Sequence, residues 1–327
     1  MEKLKVTCIC WHSVEPDSIN PAFLNGWNPT ASLFREQIKF FLKHYTPMSV
    51  HQFIELSEDP SQFRLYRKPP VLLSFDDGFK NVIDQALPIL NELRVPAIFF
   101  VIGEIIKNPE FVPWYVECLY MLRKTKKRAV TYNNISVQLN SPEGQNRLVF
   151  SFGARFKMCR SDDEREKSLT DIAELLSVAR PSARELHDDL RFVVANDLTK
   201  LGPSSLLTIG SHAMTHRFLD SLSYEEQCHE LRESQVVLSK VSPSYFPALA
   251  YPGGSFSPAS VAIAQDTYKC AFAVEWGSAY RNLHAYPRIA IGSDTTDHIA
   301  YAISRLRLTY LLPLKRMFRT AKHWASE

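Results

Sequence analysis

No apolar run in this chain is long enough to cross a membrane, which takes about 20 residues in a helix. The first residues, Met1–Lys5, lead directly into a short strand-like run and lack the apolar core of a secretory signal. From these two absences we expect a cytoplasmic protein.

The six cysteines include no C-x-x-C pair, so neither a redox motif nor a compact zinc knuckle is indicated. They are scattered along the chain at Cys8, Cys10, Cys118, Cys159, Cys228 and Cys270. In a chain without an export signal, this pattern predicts reduced thiols rather than a disulfide framework.

Internal repeats and low-complexity tracts are also missing. The 327 residues are 45% hydrophobic and 22% charged, which is ordinary for a globular protein. The length fits one α/β barrel of roughly 200–250 residues with an insertion. The net charge of +3 is small, and we expect no nucleic-acid partner.

Acidic residues are absent from 298–326, a stretch that contains six Lys and Arg residues. Within it, residues 303–324 mix leucines and aromatics with these cations, a composition that suits contact with an anionic lipid surface. The alternative is a terminal helix that packs its apolar side on the barrel. Pro313 interrupts the pattern in either case.

Two adjacent carboxylates follow a buried strand in the first half of the chain. The apolar run Val71–Leu73 leads into Ser74-Phe75-Asp76-Asp77-Gly78, and the glycine predicts a tight turn. Two buried carboxylates side by side are costly unless a positive group lies beside them. The alternative interpretation is a solvated Asp-Asp-Gly turn.

Two histidines with a spacing of four follow a second apolar run. They lie in Ile209-Gly210-Ser211-His212-Ala213-Met214-Thr215-His216, and both rings can reach one cation from such a segment. Two imidazoles and one carboxylate form a three-ligand site with open positions, which is typical of a catalytic zinc. Together with the Asp-Asp turn, the pair predicts a metal centre.

With these two motifs the chain resembles the polysaccharide deacetylases, the NodB-homology group of carbohydrate esterases. The segment Cys10-Trp11-His12-Ser13-Val14 is similar to the Tyr-His-x-Val opening of one branch of this family. Ala250-Tyr251-Pro252-Gly253-Gly254 stands where the third motif, Arg-x-Pro-Tyr-Gly, is expected. The similarity covers roughly residues 5–105 and 200–293.

The resemblance implies a distorted (β/α)7-8 barrel. Predicted strands end near residues 11, 76, 101, 210, 250, 274 and 291, which gives seven. We assign 1–106 and 200–297 to the barrel, 107–199 to a mostly helical insertion and 298–327 to a basic tail. The insertion is either a lid that contacts substrate or a packed elaboration without such contact.

The resemblance also implies site residues. Asp77, His212 and His216 would hold one divalent cation, Zn²⁺ before others, and Asp76 would be the general base. His12 is our candidate general acid, although it could instead be a structural hydrogen-bond donor. The backbone N–H of Gly253 would bind the oxyanion, and we place Tyr251 beside the substrate.

Three features depart from the family pattern. Ala250 replaces the arginine of the third motif, so a guanidinium for Asp76 is absent or comes from elsewhere, Arg288 being a candidate. Glu275-Trp276-Gly277 is only loosely similar to the fourth motif. His298 is a poor match to the fifth, Leu-x-x-His, and is expected at a helix start.

The expected reaction is removal of an N-acetyl group from an amino sugar in a polysaccharide, oligosaccharide or glycolipid. A deformylase or an O-acetyl esterase would use the same atoms. One rival is a glycan-binding protein on this fold that has lost turnover, which Ala250 favours. The other is a phosphoester hydrolase, which usually needs a second metal site, and the sequence offers no second ligand cluster.

Overall fold

The structure is a computed structural model and describes residues 6–19, 27–274 and 282–309. The fourth-motif prediction at 275–277 and most of the predicted tail lie outside these ranges. The strands of the described part are β1 (Thr7–Trp11), β2 (Thr46–Met48), β3 (Pro70–Phe75), β4 (Ala97–Val101), β5 (Ala129–Tyr132), β6 (Ile135–Gln138), β7 (Leu207–Ser211), β8 (Tyr245–Ala250), β9 (Cys270–Ala273), β10 (Tyr286–Pro287) and β11 (Ile289–Ala290).

The α-helices within those ranges cover the outside of the sheet and build the insertion. They are α1 (Ala31–His44), α2 (Val50–Glu58), α3 (Leu87–Leu93), α4 (Gly103–Lys107), α5 (Trp114–Lys124), α6 (Pro142–Met158), α7 (Asp162–Leu176), α8 (Ala195–Thr199), α9 (Tyr224–Val241), α10 (Pro258–Thr267) and α11 (Thr296–Thr309).

The main sheet is parallel and almost closes on itself. Its order is β10-β9-β8-β7-β4-β3-β1-β11, and β2 pairs with the first half of β3. β10 and β11 flank Arg288 in one extended segment, so residues 286–290 pair with β9 on one side and with β1 on the other. The predicted distorted barrel with a mostly helical insertion is therefore confirmed.

The amino end of the barrel is closed by α2. Val6, Phe246 and Cys270 stand at or next to the amino ends of their strands, and they share one buried cluster with Val50 and Phe53 of α2. Catalytic residues of parallel barrels come from the opposite, carboxyl ends of the strands. Because α2 covers the amino end, the candidate site lies at the carboxyl end, where the polar residues that follow β3 and β7 are found.

Helix α1 fixes the carboxyl end of β1. It begins after Thr30, whose side chain caps the helix by accepting a hydrogen bond from the Leu33 N–H. The buried Gln37 accepts a hydrogen bond of 3.0 Å from the Trp11 indole and donates to the Gly292 carbonyl. The last residue of β1 is thus held between two elements, and His12 follows it directly.

The insertion between β4 and β7 has a hydrophobic cluster of its own. Its buried members come from α5, α6, α7 and the β5–β6 hairpin: Cys118, Met121, Leu122, Val130, Val137, Leu139, Leu148, Phe152, Phe156, Leu169, Ile172 and Leu176. The hairpin turns through Asn133 and Asn134, which have φ of 50° and 62°. Asparagine is favoured at such positions because it tolerates a positive φ.

The end of the insertion braces the turn that carries the two aspartates. Phe79 forms a β-bridge with Phe192, and the two rings stack at 4.9 Å. The Val193 N–H donates to the Gly78 carbonyl at 2.9 Å. The boundaries 107–199 stay a prediction, but this contact connects the insertion with the site.

The described start of the predicted basic tail packs on the barrel. In α11, Ile299 and Ile303 are buried in the cluster formed by the barrel and α1. For these residues the packing alternative describes the structure, and the lipid contact predicted for 303–324 stays a prediction. Among the described helices, none is both long enough and apolar enough to cross a bilayer.

Candidate active site

Asp76 and Asp77 point in different directions because of the backbone between them. Asp76 continues β3, and its N–H donates to the Trp11 carbonyl at 2.9 Å. Asp77 has φ of 76° and Gly78 has φ of 95°. A φ of 95° is strained for every residue other than glycine, which explains the glycine at position 78. The divergence of the two side chains therefore comes from a left-handed turn.

Asp76 is bound by a buried arginine from the last strand segment. Both terminal nitrogens of Arg288 lie 2.7 Å from the two Asp76 oxygens, and one of them also donates to Ser74 Oγ at 3.0 Å. Arg288 is 2% exposed, and its guanidinium lies over the rings of Phe100 and Phe272. The guanidinium that Ala250 cannot supply therefore comes from Arg288.

This ion pair determines the protonation of Asp76. Burial raises the pKa of the Asp76 carboxyl, and the Arg288 charge more than offsets that increase, so the pKa lies below its usual range. Asp76 is thus an anion at neutral pH. Its remaining lone pairs are free to accept a proton or a hydrogen bond.

The loop that carries the two histidines is held by a glutamate in α9. The loop turns twice through left-handed residues, Ala213 with φ of 59° and His216 with φ of 61°. Between them, the N–H groups of Met214 and Thr215 donate to one oxygen of Glu230, at 2.9 and 2.8 Å. The Thr215 hydroxyl donates to the other oxygen. Glu230 therefore fixes the conformation that brings the two rings together.

Asp77, His212 and His216 converge on one point. Asp77 Oδ1 lies 3.2 Å from His212 Nε2 and 3.4 Å from His216 Nε2. Potential ligand atoms of the three residues all lie within 4.8 Å of one another, and all three residues are buried. In the described part of the chain, no other group of three such residues is close enough to hold an ion.

The donor set fits a divalent cation. His212 Nδ1 lies 2.8 Å from the Ala250 carbonyl, so it carries the proton and leaves the Nε2 lone pair for a ligand bond. Within the described ranges, Asp77 Oδ1 is buried without a hydrogen-bond partner. Burial raises the Asp77 pKa, and the two imidazoles lower it well below its usual value. An ionised, unpartnered oxygen facing two ring nitrogens is what a zinc site requires.

The model of one protein family, described as polysaccharide deacetylase, matches residues 65–144 and 194–269, which contain the Asp turn and the histidine loop. The chain belongs to the polysaccharide deacetylase family.

Poly-beta-1,6-N-acetyl-D-glucosamine N-deacetylase of Escherichia coli strain K12 is 22% identical to this chain over 244 residues, which is 65% of this chain and 35% of that protein. The chain thus spans about a third of that relative.

Solved structures of the family share the fold. The Streptococcus pyogenes deacetylase PplD in complex with acetate has a TM-score of 0.55 at 16% identity, covering 92% of this chain and 98% of that one. IcaB from Ammonifex degensii has a TM-score of 0.54 at 13% identity, covering 90% and 95%. At these identities the match supports the barrel, and the chemistry has to be argued from the site.

His12 lies at the mouth of the barrel, next to the deacetylase motifs. It follows β1 directly and is partly exposed. Its ring is near enough to both Asp76 and Asp77 to contribute to lowering their pKa values. This placement is compatible with the predicted general acid, and that role stays a prediction.

Of the two residues predicted from the third motif, only Gly253 is available to a ligand. Gly253 is exposed, has φ of 58°, and its N–H has no acceptor among the described residues. Tyr251 is fully buried, and its hydroxyl donates to the His284 carbonyl at 2.7 Å. The prediction that Tyr251 contacts substrate is therefore wrong for its side chain, because packing against Phe256 and its hydrogen bond occupy it.

Two residues near the site were not predicted. Glu230 is an acid on the buried face of α9, beside Leu231 and Ser234. An acidic residue on the buried face of a helix is unusual, and this signal could have identified it from the sequence. Tyr115 belongs to the insertion, and its ring lies 4.7 Å from that of His216. No spacing rule connects Tyr115 with the deacetylase motifs.

Proposed function

We propose that this protein removes N-acetyl groups from an amino sugar in a polysaccharide, oligosaccharide or glycolipid. The observation that carries the proposal is the contrast between the two adjacent carboxylates. Asp77 presents an unpartnered oxygen to two imidazoles, whereas Arg288 binds both oxygens of Asp76. One carboxylate is free to hold an ion, and its neighbour is held away from it.

Asp77, His212 and His216 would hold the divalent cation, for which Zn²⁺ is our first candidate. When bound, such an ion acts as a Lewis acid toward a water molecule and toward the acyl oxygen. Asp76 stays ionised at neutral pH and accepts the proton that the attacking water loses. Arg288 holds the Asp76 carboxylate in a fixed orientation, which reduces the reorganisation needed during the reaction.

The other steps need a donor for the acyl oxygen and an acid for the leaving amine. The Gly253 N–H has no partner of its own in the described structure and supports the first role. His12, at the same mouth, would protonate the amine nitrogen when the C–N bond breaks. An imidazole can change its protonation state near neutral pH, which suits this second role.

The substrate class rests on the family and on a relative whose name specifies a polymer of N-acetyl-glucosamine. We keep the cytoplasm as the proposed compartment, supported by six cysteines that are all free. A carbohydrate or glycolipid is the proposed partner, with contact to a membrane surface through 303–324 as a further prediction.

The test combines metal analysis with acetate release. Purified protein loaded with Zn²⁺ is incubated with β-1,6-linked oligomers of N-acetyl-glucosamine and with other N-acetylated oligosaccharides, and free acetate is measured. The expected result is acetate release by the wild type and release about 10²–10⁴-fold slower by Asp76→Asn. Matching panels of N-formyl and O-acetyl sugars identify a deformylase or an esterase.

A glycan-binding protein would behave differently in the same experiment. Its signature is bound metal and oligosaccharide binding with no acyl group released from any substrate. The arginine of Asp76, whose loss at position 250 favoured this rival, is present as Arg288. Retention of both carboxylates and both histidines therefore favours the enzyme.

A further inference from the structure

The insertion places an aromatic side chain against the metal centre. Tyr115 lies in the first turn of α5, and its ring contacts that of His216 at 4.7 Å. The adjacent Trp114 contacts Phe218 at 5.9 Å. A Cβ on Gly253 would lie 2.6 Å from the Phe218 ring, so the insertion borders the site on the side of the Gly253 N–H.

The hydroxyl of Tyr115 is buried and has no hydrogen-bond partner among the described residues. Buried polar atoms are nearly always paired, so an orphan hydroxyl beside a reactive site requires an explanation. The hydroxyl lies beside the Asp77 carboxylate, and a tyrosine hydroxyl is protonated at neutral pH. The hydroxyl therefore keeps its proton and can serve as a donor.

We propose that the Tyr115 hydroxyl donates a hydrogen bond to the acyl oxygen of the substrate. The proposal rests on the deacetylation proposed above and adds a residue from the insertion to the reacting site. The oxyanion that forms during acyl transfer needs several donors, and removing one such donor typically slows a reaction about 10²–10³-fold. Tyr115 and the Gly253 N–H would be two of them.

A purely packing role is the alternative. In that case the ring covers His216 and the hydroxyl contributes nothing to catalysis. The two roles are separated by Tyr115→Phe, which keeps the ring and its contacts and removes only the oxygen. Because the variant loses an unpaired buried group, it should melt at the same temperature as the metal-free wild type or slightly higher.

Acetate is the probe of the donor, since its carboxylate oxygen stands in for the acyl oxygen. Calorimetric titration of the Zn²⁺-loaded proteins with sodium acetate should show about tenfold weaker binding by Tyr115→Phe. Zn²⁺ affinity, measured separately by competition with a chelator, should not change. In acetate-release assays kcat should fall about 10²-fold while KM changes little. Tyr120→Phe, in the same helix and without a ring contact to His216, is the matched control and should behave as the wild type.

Equal acetate affinity in Tyr115→Phe and in the wild type would overturn the proposal. A lower Zn²⁺ affinity in the variant would also overturn it, because Tyr115 would then act through a metal ligand. Wild-type protein that binds no acetate would also overturn it. Failure of the proposed function has a different signature, because the wild type then releases no acetate from any substrate. In that event the acetate titration of the two proteins still decides the role of Tyr115.

Discussion

Asp76 and Asp77 are neighbours in sequence, and each is 3% exposed, yet their surroundings are opposite. Arg288 binds both oxygens of Asp76, so its charge is neutralised by a group that never loses its proton. Asp77 faces two imidazoles, which are neutral or charged according to pH and metal. Asp76 belongs to a permanent ion pair, whereas Asp77 belongs to a cluster that could hold a cation.

The contrast explains how two buried carboxylates can coexist in one turn. The left-handed conformation of Asp77 separates the side chains, and each then has its own positive partner. Without Arg288, both acids would compete for a bound cation. In the mechanism proposed above, the ion pair reserves Asp76 for proton transfer. Substitutions that exchange or remove one partner at a time test this division.

The largest effect is expected for Asp77→Asn, which removes the only charged ligand. Zn²⁺ content, measured by elemental analysis after dialysis, should fall from about one ion per chain to near zero. Acetate release should fall on the order of 10⁴-fold, because the Lewis-acid contribution of several kcal/mol is lost. Asp84→Asn, an exposed aspartate nearby on the chain, is the control and should retain the metal. Full Zn²⁺ occupancy in Asp77→Asn would contradict the assignment of ligands.

Asp76→Asn should lose activity while it keeps the metal. The variant should bind Zn²⁺ normally but lose about 10²–10⁴-fold in rate, since the general base is removed. It should also lose about 3–5 kcal/mol of unfolding free energy, because Arg288 is left buried without a counter-charge. Urea denaturation with and without chelator measures this loss.

The double substitution Asp76→Asn/Arg288→Met separates the two effects of Asp76. Replacing the arginine removes the unpaired charge, so stability should recover while acetate release stays low. Recovery of activity in the double variant would mean that Asp76 acts only as a structural partner of Arg288.

A smaller effect is expected at Glu230, which holds the histidine loop from α9. In Glu230→Gln one acceptor becomes a donor facing the N–H groups of Met214 and Thr215, so the loop loses part of its support. Outer-shell changes of this kind reduce metal affinity about 10–100-fold. Competition with a chelator measures the change. Glu233→Gln, in the same helix but paired with Lys107 at the surface, should have unchanged affinity.

The convergence of the three candidate metal ligands could be predicted from sequence because each motif directly follows a buried strand. Parallel strands bring such residues to one end of a barrel, so Asp77 and the pair His212 and His216 had to meet there. The barrel itself followed from the strand spacing and the resemblance. Arg288 could only be named as a candidate, since nothing in a strand sequence says which residue points into the barrel at the level of Asp76.

Tyr115 and the left-handed turn at Asp77 could not be predicted. The orientation of an insertion depends on packing between segments that are far apart in sequence, such as Phe79 on Phe192, and periodicity carries no information about it. Tyr251 was misplaced for a related reason. A motif gives the position of a residue along the chain, but the orientation of its side chain depends on local packing and on the nearest hydrogen-bond acceptor. For Tyr251 that acceptor is the His284 carbonyl.

The smallest effect is a difference in pH dependence between the metal-free and the metal-loaded protein. Burial lowers the pKa of His212, but the charges of Asp76 and Asp77 more than compensate, so its pKa lies above the usual 6.5. A raised histidine pKa stabilises the fold fully below 6.5, and this contribution disappears as the pH rises through the raised value. The chelated wild type should therefore lose up to about 1.4 kcal/mol of unfolding free energy per pH unit above 6.5.

With saturating Zn²⁺ the slope should have the opposite sign. A metal ligand must be a neutral imidazole, so binding strengthens as His212 loses its proton. Urea denaturation between about pH 6 and 9 measures both slopes. The metal-free slope should decrease in Asp77→Asn, which removes one of the two charges and leaves that of Asp76, and should persist unchanged in His229→Asn, an exposed histidine of α9. Parallel slopes for the two forms of the wild type would mean that His212 is not the group that exchanges a proton for the ion.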